Sequence, residues 1–237
     1  MARAGVASRR AADELIASGR VFVNGRPAPP SGTMVEPGSD RVVVDGRPVA
    51  PPARRRYLVL NKPAGVIVTA SAEEGRRTVY DLVGESGGPG RLFSVGRLDV
   101  ATRGLLVLTD DGDLAHLLAH PGRKVPKEYL AVVAGRPGER DLRRLREGVR
   151  LPDGVTAPAQ AELVRPLPDG RSEVRIVLRE GRNRQVRRML EAVGHPVHDL
   201  RRTALGPLRL GRLKEGAWRR LRPFELDQLR RAAEDVT

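Results

Sequence analysis

Apolar residues recur along the chain with two periods, and the switches between them mark out the expected elements. Ala12, Leu15 and Ile16 share one face at helical spacing behind the N-cap residue type Ser8, and Gly19 supplies a stop, so a helix is expected there. Val21-Phe22-Val23 then meets Asn24-Gly25, and Val42-Val43-Val44 meets Asp45-Gly46, two signals for tight hairpins. Further along, strands are expected at Tyr57–Leu60, Val66–Thr69, Leu92–Leu98, Leu105–Thr109, Glu128–Ala134, Glu162–Arg165 and Glu173–Leu178. Short ones follow near Val197–Arg202, Leu208–Leu210 and Trp218–Leu221. Helices are expected from Asp113, as N-cap, to about Ala119, over Glu139–Glu147, over about Asn183–Val193 and after Pro223. In the third of these Val186, Met189, Leu190 and Val193 follow the i, i+3, i+4, i+7 rule. Hairpins and irregular connections outnumber alternating strand–helix–strand units, which predicts an α+β fold with a mainly antiparallel sheet.

A Pro- and Arg-rich stretch from Arg47 to Arg56 interrupts this pattern and reads as a stiff, extended connection. It divides the chain into a small unit over residues 1–50, a linker over 51–56 and a larger unit over 57–237. The latter carries most of the periodic segments. The longest apolar runs are a handful of residues, such as Tyr129 to Ala134, far short of the roughly 18 that a membrane helix needs. With no cysteine there is no disulfide framework, no thiolate nucleophile and no Cys-based zinc site. Ser8-Arg9-Arg10 is followed by Asp13 and Glu14 instead of an apolar stretch, so it does not read as an export signal and a cytoplasmic protein is expected.

Charge changes the picture more than composition does. The 237 residues carry a formal net charge of +14, which predicts a polyanionic partner. Much of the excess lies between Arg179 and Arg222, where Arg184 and Arg188 fall on the outer side of the expected helix and Arg187 falls at the inward edge. Arg9 and Arg10 occupy the opening turn of the first helix, where the helix dipole disfavours cations by roughly 0.3–1 kcal/mol each and a bound phosphate would offset that. No helix-turn-helix, zinc-finger or basic-zipper pattern is present, so structured RNA suits two separate basic surfaces better than a DNA groove does. The aromatic content is only 3%, too little for a platform that stacks several successive bases.

Candidate chemistry is sparse. No dinucleotide, Walker or nucleophilic-serine motif occurs; His116 and His120 stand i, i+4 on an expected helix but form no H-E-x-x-H, His195 and His198 flank a Pro, and the Asp110-Asp111-Gly112-Asp113 run lacks calcium-loop spacing, so neither cofactor nor metal is expected. Asp99 differs: it lies on a bend between two apolar segments with Arg97 and Arg103 near in sequence, which would keep it ionised. On those residues alone, a structural Asp–Arg pair and a catalytic carboxylate both remain open.

Four segments then carry a resemblance. Asn61-Lys62-Pro63-Ala64-Gly65, Gly96-Arg97-Leu98-Asp99 with Thr102-Arg103-Gly104-Leu105-Leu106, Lys127-Glu128-Tyr129, and Glu180-Gly181-Arg182-Asn183-Arg184-Gln185-Val186-Arg187-Arg188-Met189 together resemble the ribosomal-RNA pseudouridine synthases of the RsuA/RluB type. Residues 1 to about 50 resemble the alpha-L RNA-binding module that such enzymes carry in front. Family members have more residues before Ala2-Arg3-Ala4-Gly5, so this module is expected to be clipped at its start. The resemblance implies the pseudouridine synthase fold, no cofactor, a monomer, and ribosomal RNA or a pre-ribosomal particle as partner, the large subunit favoured. It also implies that Asp99 is the nucleophile at ribose C1′ or uracil C6, or assists a glycal route. By the same resemblance Tyr129 packs on the base and removes the C5 proton, Arg187 pairs with Asp99, and Leu200 forms a pocket wall. Asn183 and Arg184 would contact displaced bases, while Arg9, Arg10, Lys62, Arg97, Arg103 and Arg202 are expected RNA contacts, with structural support an alternative for Lys62 and Arg103. A non-catalytic RNA-binding or ribosome-assembly factor on the same scaffold is the rival reading.

Overall fold

A computed structural model of the protein describes residues 1, 4, 6–7, 9–36, 38–50, 55–69, 75–84 and 92–234. Helix α1 (Arg9–Ala17) buries Ala12 and lays Leu15 and Ile16 on a small core with Val21, Ala28 and Val44. Its end is closed by Gly19 at φ +70°, with the Gly19 and Arg20 amides donating to the Ile16 and Leu15 carbonyls. Strands β1 (Val21–Val23), β2 (Arg26–Pro27), β3 (Val42–Val44) and β4 (Arg47–Pro48) form an antiparallel sheet in the order β2-β1-β3-β4. Both hairpins turn through two residues of positive φ, Asn24-Gly25 and Asp45-Gly46, as a two-residue turn between right-twisted strands requires. The expected cap Ser8 lies outside the described residues, as do residues 51–54 of the expected linker.

The larger unit runs β5 (Tyr57–Lys62), α2 (Val79–Val83), β6 (Phe93–Ser94), β7 (Thr102–Thr109), α3 (Gly112–Ala119), β8 (Lys127–Ala134), α4 (Glu139–Glu147), β9 (Arg150–Leu151) and β10 (Gly154–Val155). It continues with β11 (Gln160–Pro166), β12 (Arg171–Leu178), α5 (Gln185–Ala192), β13 (Val197–Leu205), β14 (Leu208–Arg209), β15 (Trp218–Arg220) and α6 (Pro223–Glu234). Nine strands make one mixed sheet, ordered β11-β12-β8-β13-β7-β5-β15, with β14 on β13 and β6 on β7. The pairing is antiparallel except between β13 and β7, which run parallel with Leu200 opposite Thr102 and Arg202 opposite Gly104. Both faces of β7 are covered: Leu105 and Val107 pack with Leu114, Leu118 and Leu229, whereas Leu106 and Leu108 pack with Leu58, Leu60 and Val79. That explains a continuous apolar run where a half-exposed strand would alternate. On the other half of the sheet, Val186, Met189 and Leu190 of α5 join Ala131, Val174 and Ile176.

Several expected elements differ. Val66–Thr69 forms no strand, only a single bridge from Ile67 to Thr78, because Gly65 at φ +82° turns the chain away from β5. Leu92–Leu98 contributes only Phe93–Ser94 to the sheet, because Gly96 at φ +68° bends the chain, and Leu92 and Leu98 reach the core from a loop. The cap of α3 is Asp111, which accepts from the Leu114 amide, so Asp113 falls in the first turn. Helix α5 starts at Gln185 instead of Asn183, because Arg184 is left-handed at φ +46°. The sequence reading missed α2, closed by a Thr78–Asp81 capping box, and the small β9–β10 hairpin.

Candidate active site

The loop between β6 and β7 carries Asp99 and is held from two sides. From β5, the fully buried Lys62 ammonium donates to the carbonyls of Pro63 (3.0 Å), Asp99 (3.2 Å), Val100 (3.3 Å) and Thr102 (2.9 Å). Burial pulls the Lys62 pKa down to about 8 against the opposing pull of Asp99 and Glu215. Lys62 is therefore a backbone clip, and the expectation of an RNA contact is corrected because no part of it reaches solvent. From α5, Arg187 donates through Nη1 to Val197 O (3.1 Å) and through Nη2 to Ala101 O (3.0 Å), two residues past Asp99. Desolvation, with Arg184 adding to it, lowers the Arg187 pKa, and the charges of Asp99 and Asp199 oppose that. Its guanidinium thus feels the Asp99 charge but grips the loop's backbone, where the resemblance implied a direct ion pair.

Asp99 is half-buried and opens into a cavity of about 280 Å³. The same cavity is lined by Tyr129, Leu200, Arg97, Asn183, Arg184 and Arg202, so it brings together seven of the residues singled out from sequence. Tyr129 and Leu200 stand on the neighbouring strands β8 and β13, facing the cavity beside Leu178 and Val186. Arg97, Asn183 and Arg184 are exposed at its mouth. The rim is built by the 180–185 turn: Glu180 accepts from the Ala157 amide (3.0 Å) and from Gln185, Gln185 accepts from the Arg182 amide (3.0 Å), and Arg182 reaches Val155 O (2.6 Å) on β10. This turn holds Arg184 in its left-handed conformation at the start of α5, which an arginine adopts at a cost of about 1–2 kcal/mol.

The remaining expected residues are placed elsewhere. Arg103 is not paired with Asp99; it pairs with Asp199 (Nε to Oδ1, 3.0 Å) and Glu215 (2.9 Å), and Asp199 above all raises its pKa. The parallel β7–β13 register, which sequence spacing alone does not reveal, puts it beside β13. Arg202 is no surface phosphate contact either: it is 2% exposed, its Nε donates to Leu105 O (2.8 Å) and its Nη2 has no partner. Arg10 is exposed on α1, and the Arg9 side chain lies outside the described residues. Sequence reasoning did not single out Thr102 or Lys127, both on the cavity wall. The signal for Lys127 was its spacing, two residues before Tyr129 on one strand and so on the same face. Among the described residues no cluster of three or more His, Cys, Asp or Glu side chains is arranged to hold a metal ion, and no helix is long and apolar enough to cross a membrane.

The chain is similar to known proteins over nearly its whole length. The sequence profile of RNA pseudouridylate synthase matches residues 56–192, and that of the S4 domain matches residues 1–42. An uncharacterized RNA pseudouridine synthase of Aquifex aeolicus is 44% identical over 234 residues, covering 98% of this chain and 92% of its own. The ribosomal large subunit pseudouridine synthase B of Bacillus subtilis is 44% identical over 235 residues, covering 99% and 95%. A crystal structure of a pseudouridylate synthase superposes with a TM-score of 0.67 at 30% identity, over 96% of each chain.

Proposed function

The chain belongs to the RNA pseudouridylate synthase family, and we propose that it isomerises a uridine of ribosomal RNA, in the large subunit, to pseudouridine with Asp99 as nucleophile. The similarity to the large-subunit enzyme of B. subtilis over nearly the whole of both chains supports the substrate class. The reaction breaks the bond from ribose C1′ to uracil N1, turns the base and forms a bond from C1′ to C5. C5 loses its proton and N1 gains one, so no oxidant, reductant or external energy is consumed. A carboxylate is sufficient for such chemistry, attacking C1′ or C6 and leaving again when the new bond forms.

The observation that carries this reading is that the Asp99 carboxylate and the Tyr129 ring open into one cavity with a cationic mouth. A stacked uridine is out of reach of any side chain, so the target is flipped into this cavity at a cost of a few kcal/mol. Tyr129 packs on the base and takes the C5 proton, and Leu200, on the neighbouring strand, forms an apolar wall. Lys62 and Arg187, by gripping the backbone carbonyls from Asp99 to Thr102, keep its carboxylate where the ribose arrives. Arg97, Asn183 and Arg184 receive the neighbouring phosphates and displaced bases at the mouth. The S4 domain, with Arg9 and Arg10, adds a second RNA contact, and the protein acts in the cytoplasm as a monomer without a cofactor.

The test is to map pseudouridine in ribosomal RNA from cells with and without the protein, then to repeat the conversion in vitro with Asp99→Asn. Product should vanish in the variant while RNA affinity stays within a few fold, since the phosphate contacts remain. Turnover by Asp99→Asn at the wild-type rate would refute the assignment, and RNA binding without any product from the wild type would favour a non-catalytic factor.

A further inference from the structure

The cavity has a second charged feature at its floor. Lys127, Tyr129 and Ala131 alternate along β8 and point to one face of the sheet, and Arg202 of β13 is the direct cross-strand partner of Tyr129. Lys127, paired with Leu205, and Arg202, paired with Tyr129, therefore line the cavity from one face of the sheet with the apolar Leu118, close enough for the Arg202 charge to act on Lys127. Arg202 is 2% exposed and uses only Nε, on Leu105 O, leaving Nη2 with no partner. Lys127 uses one of its three donors, on Val125 O (3.2 Å).

Two desolvated cations near one another are costly unless something negative joins them. The carboxylates lining this cavity are Asp99 and Glu180, and Glu180 is taken up by Ala157, Gln185 and Arg182. Glu128, the acid next to Lys127, lies on the opposite face of β8, where it accepts from Thr203, Arg175 and Arg209. Burial first, and the Arg202 charge second, lower the Lys127 pKa, which is how a cation without a counterion behaves.

We infer that Lys127 and Arg202 receive the carbonyl oxygens of the flipped uracil and stabilise the negative charge that the base acquires during the reaction. The inference rests on the pseudouridine synthase reading. When the C1′–N1 bond breaks, its electron pair stays on the ring and delocalises onto O2 and O4. Attack at C6 likewise sends an electron pair towards O4. The charge returns to C5 as the new carbon–carbon bond forms, and the C5 proton then leaves. Preorganised donors in a water-poor site are worth most where charge develops. Depth favours the base over a phosphate as occupant: a flipped nucleotide enters base first, and its phosphates stay at the mouth, where the exposed Arg97 and Arg184 stand.

The experiment compares single-turnover conversion and RNA affinity for wild type, Lys127→Met, Lys127→Arg and Arg202→Lys. Its substrate is a transcript of the large-subunit RNA segment containing the mapped uridine. Lys127→Met should slow conversion about 100-fold, the usual loss for one such donor, with RNA Kd within threefold and an unchanged salt slope. Lys127→Arg should recover at least about tenfold of that loss. Arg202→Lys, which keeps the charge but shortens its reach, should also lose at least about tenfold and provides a second test should Lys127→Met fail to fold. Wild-type conversion by Lys127→Met would overturn the inference and leave the enzymatic reading intact. Weaker RNA binding with a salt slope smaller by about 0.7 would overturn it in favour of a phosphate contact. No product from the wild type would sink the reading and the inference together.

Discussion

Replacing Lys62 by Met keeps most of the side chain's volume and removes one charge. The ammonium serves four carbonyls, those of Pro63, Asp99, Val100 and Thr102, from a fully buried position. Hydrogen bonds from a charged donor contribute about 1.5–3 kcal/mol each, so its three N–H groups give a gross gain of about 5–9 kcal/mol. Desolvation of the ammonium offsets several kcal/mol of that, while removing one side of a buried charged contact and leaving the other unpaired costs about 3–5 kcal/mol. We therefore expect a loss of about 3 kcal/mol. In urea, with a slope of about 2 kcal/mol per molar, the unfolding midpoint should fall by about 1.5 M. The single tryptophan, Trp218, is paired with Leu60 on the strand that carries Lys62, so its fluorescence reports on this part of the sheet. A midpoint shift below about 0.3 M would show that the ammonium's desolvation cancels its contacts and that the loop does not depend on them.

The same variant has a pH signature. The folded pKa of Lys62, about 8, lies below the value of about 10.4 expected in the unfolded chain. Between these values the unfolded chain holds a proton that the folded chain lacks, so stability linked to Lys62 rises with pH across that window. The gap between wild type and Lys62→Met should accordingly widen when the urea titration is repeated at about pH 9.5 instead of about pH 7.5. A narrowing gap would mean that the four carbonyls hold the charged form more strongly than burial disfavours it.

Three further outcomes follow from the geometry. Gly104→Ala would drive a Cβ into Arg202 O and to 2.7 Å from Arg202 N at φ +107°, so a loss of at least about 3 kcal/mol is expected in a thermal melt, and an unchanged melt would contradict the close approach of β7 and β13. Arg103→Met breaks half-exposed pairs with Asp199 and Glu215, so it should cost about 1 kcal/mol while RNA affinity and its salt slope stay unchanged; a reduced slope would return Arg103 to the RNA interface. Arg10→Ala should lower the salt slope of RNA binding by about 0.7–0.9, and an identical slope would remove that face of α1 from RNA contact.

What could be read from sequence was what depends on near neighbours. The α5 stripe of Val186, Met189 and Leu190, the two positive-φ hairpins and the α4 boundaries follow from period and turn chemistry within a dozen residues. Leu92–Leu98 misled because Leu92, Val95 and Leu98 are apolar and buried, yet they are delivered by a bend instead of a strand; the glycine at 96 was the available warning. The polar partners around Asp99 were not legible in the same way. Arg103 sits 4 residues from Asp99 in sequence but pairs with Asp199, 96 residues on, because β7 and β13 run parallel and only a crossover brings them together. Lys62 and Arg187 likewise meet the Asp99 loop across 37 and 86 residues, each through backbone carbonyls, which leave no trace in residue type. Motif resemblance thus singled out the carboxylate, whereas which cations hold its loop and which face the cavity depends on sheet register. The phase of helix α5, in turn, separates the cations of one short motif into different tasks: Arg187 grips the loop, Arg184 lines the cavity mouth and Arg188 pairs with Asp153.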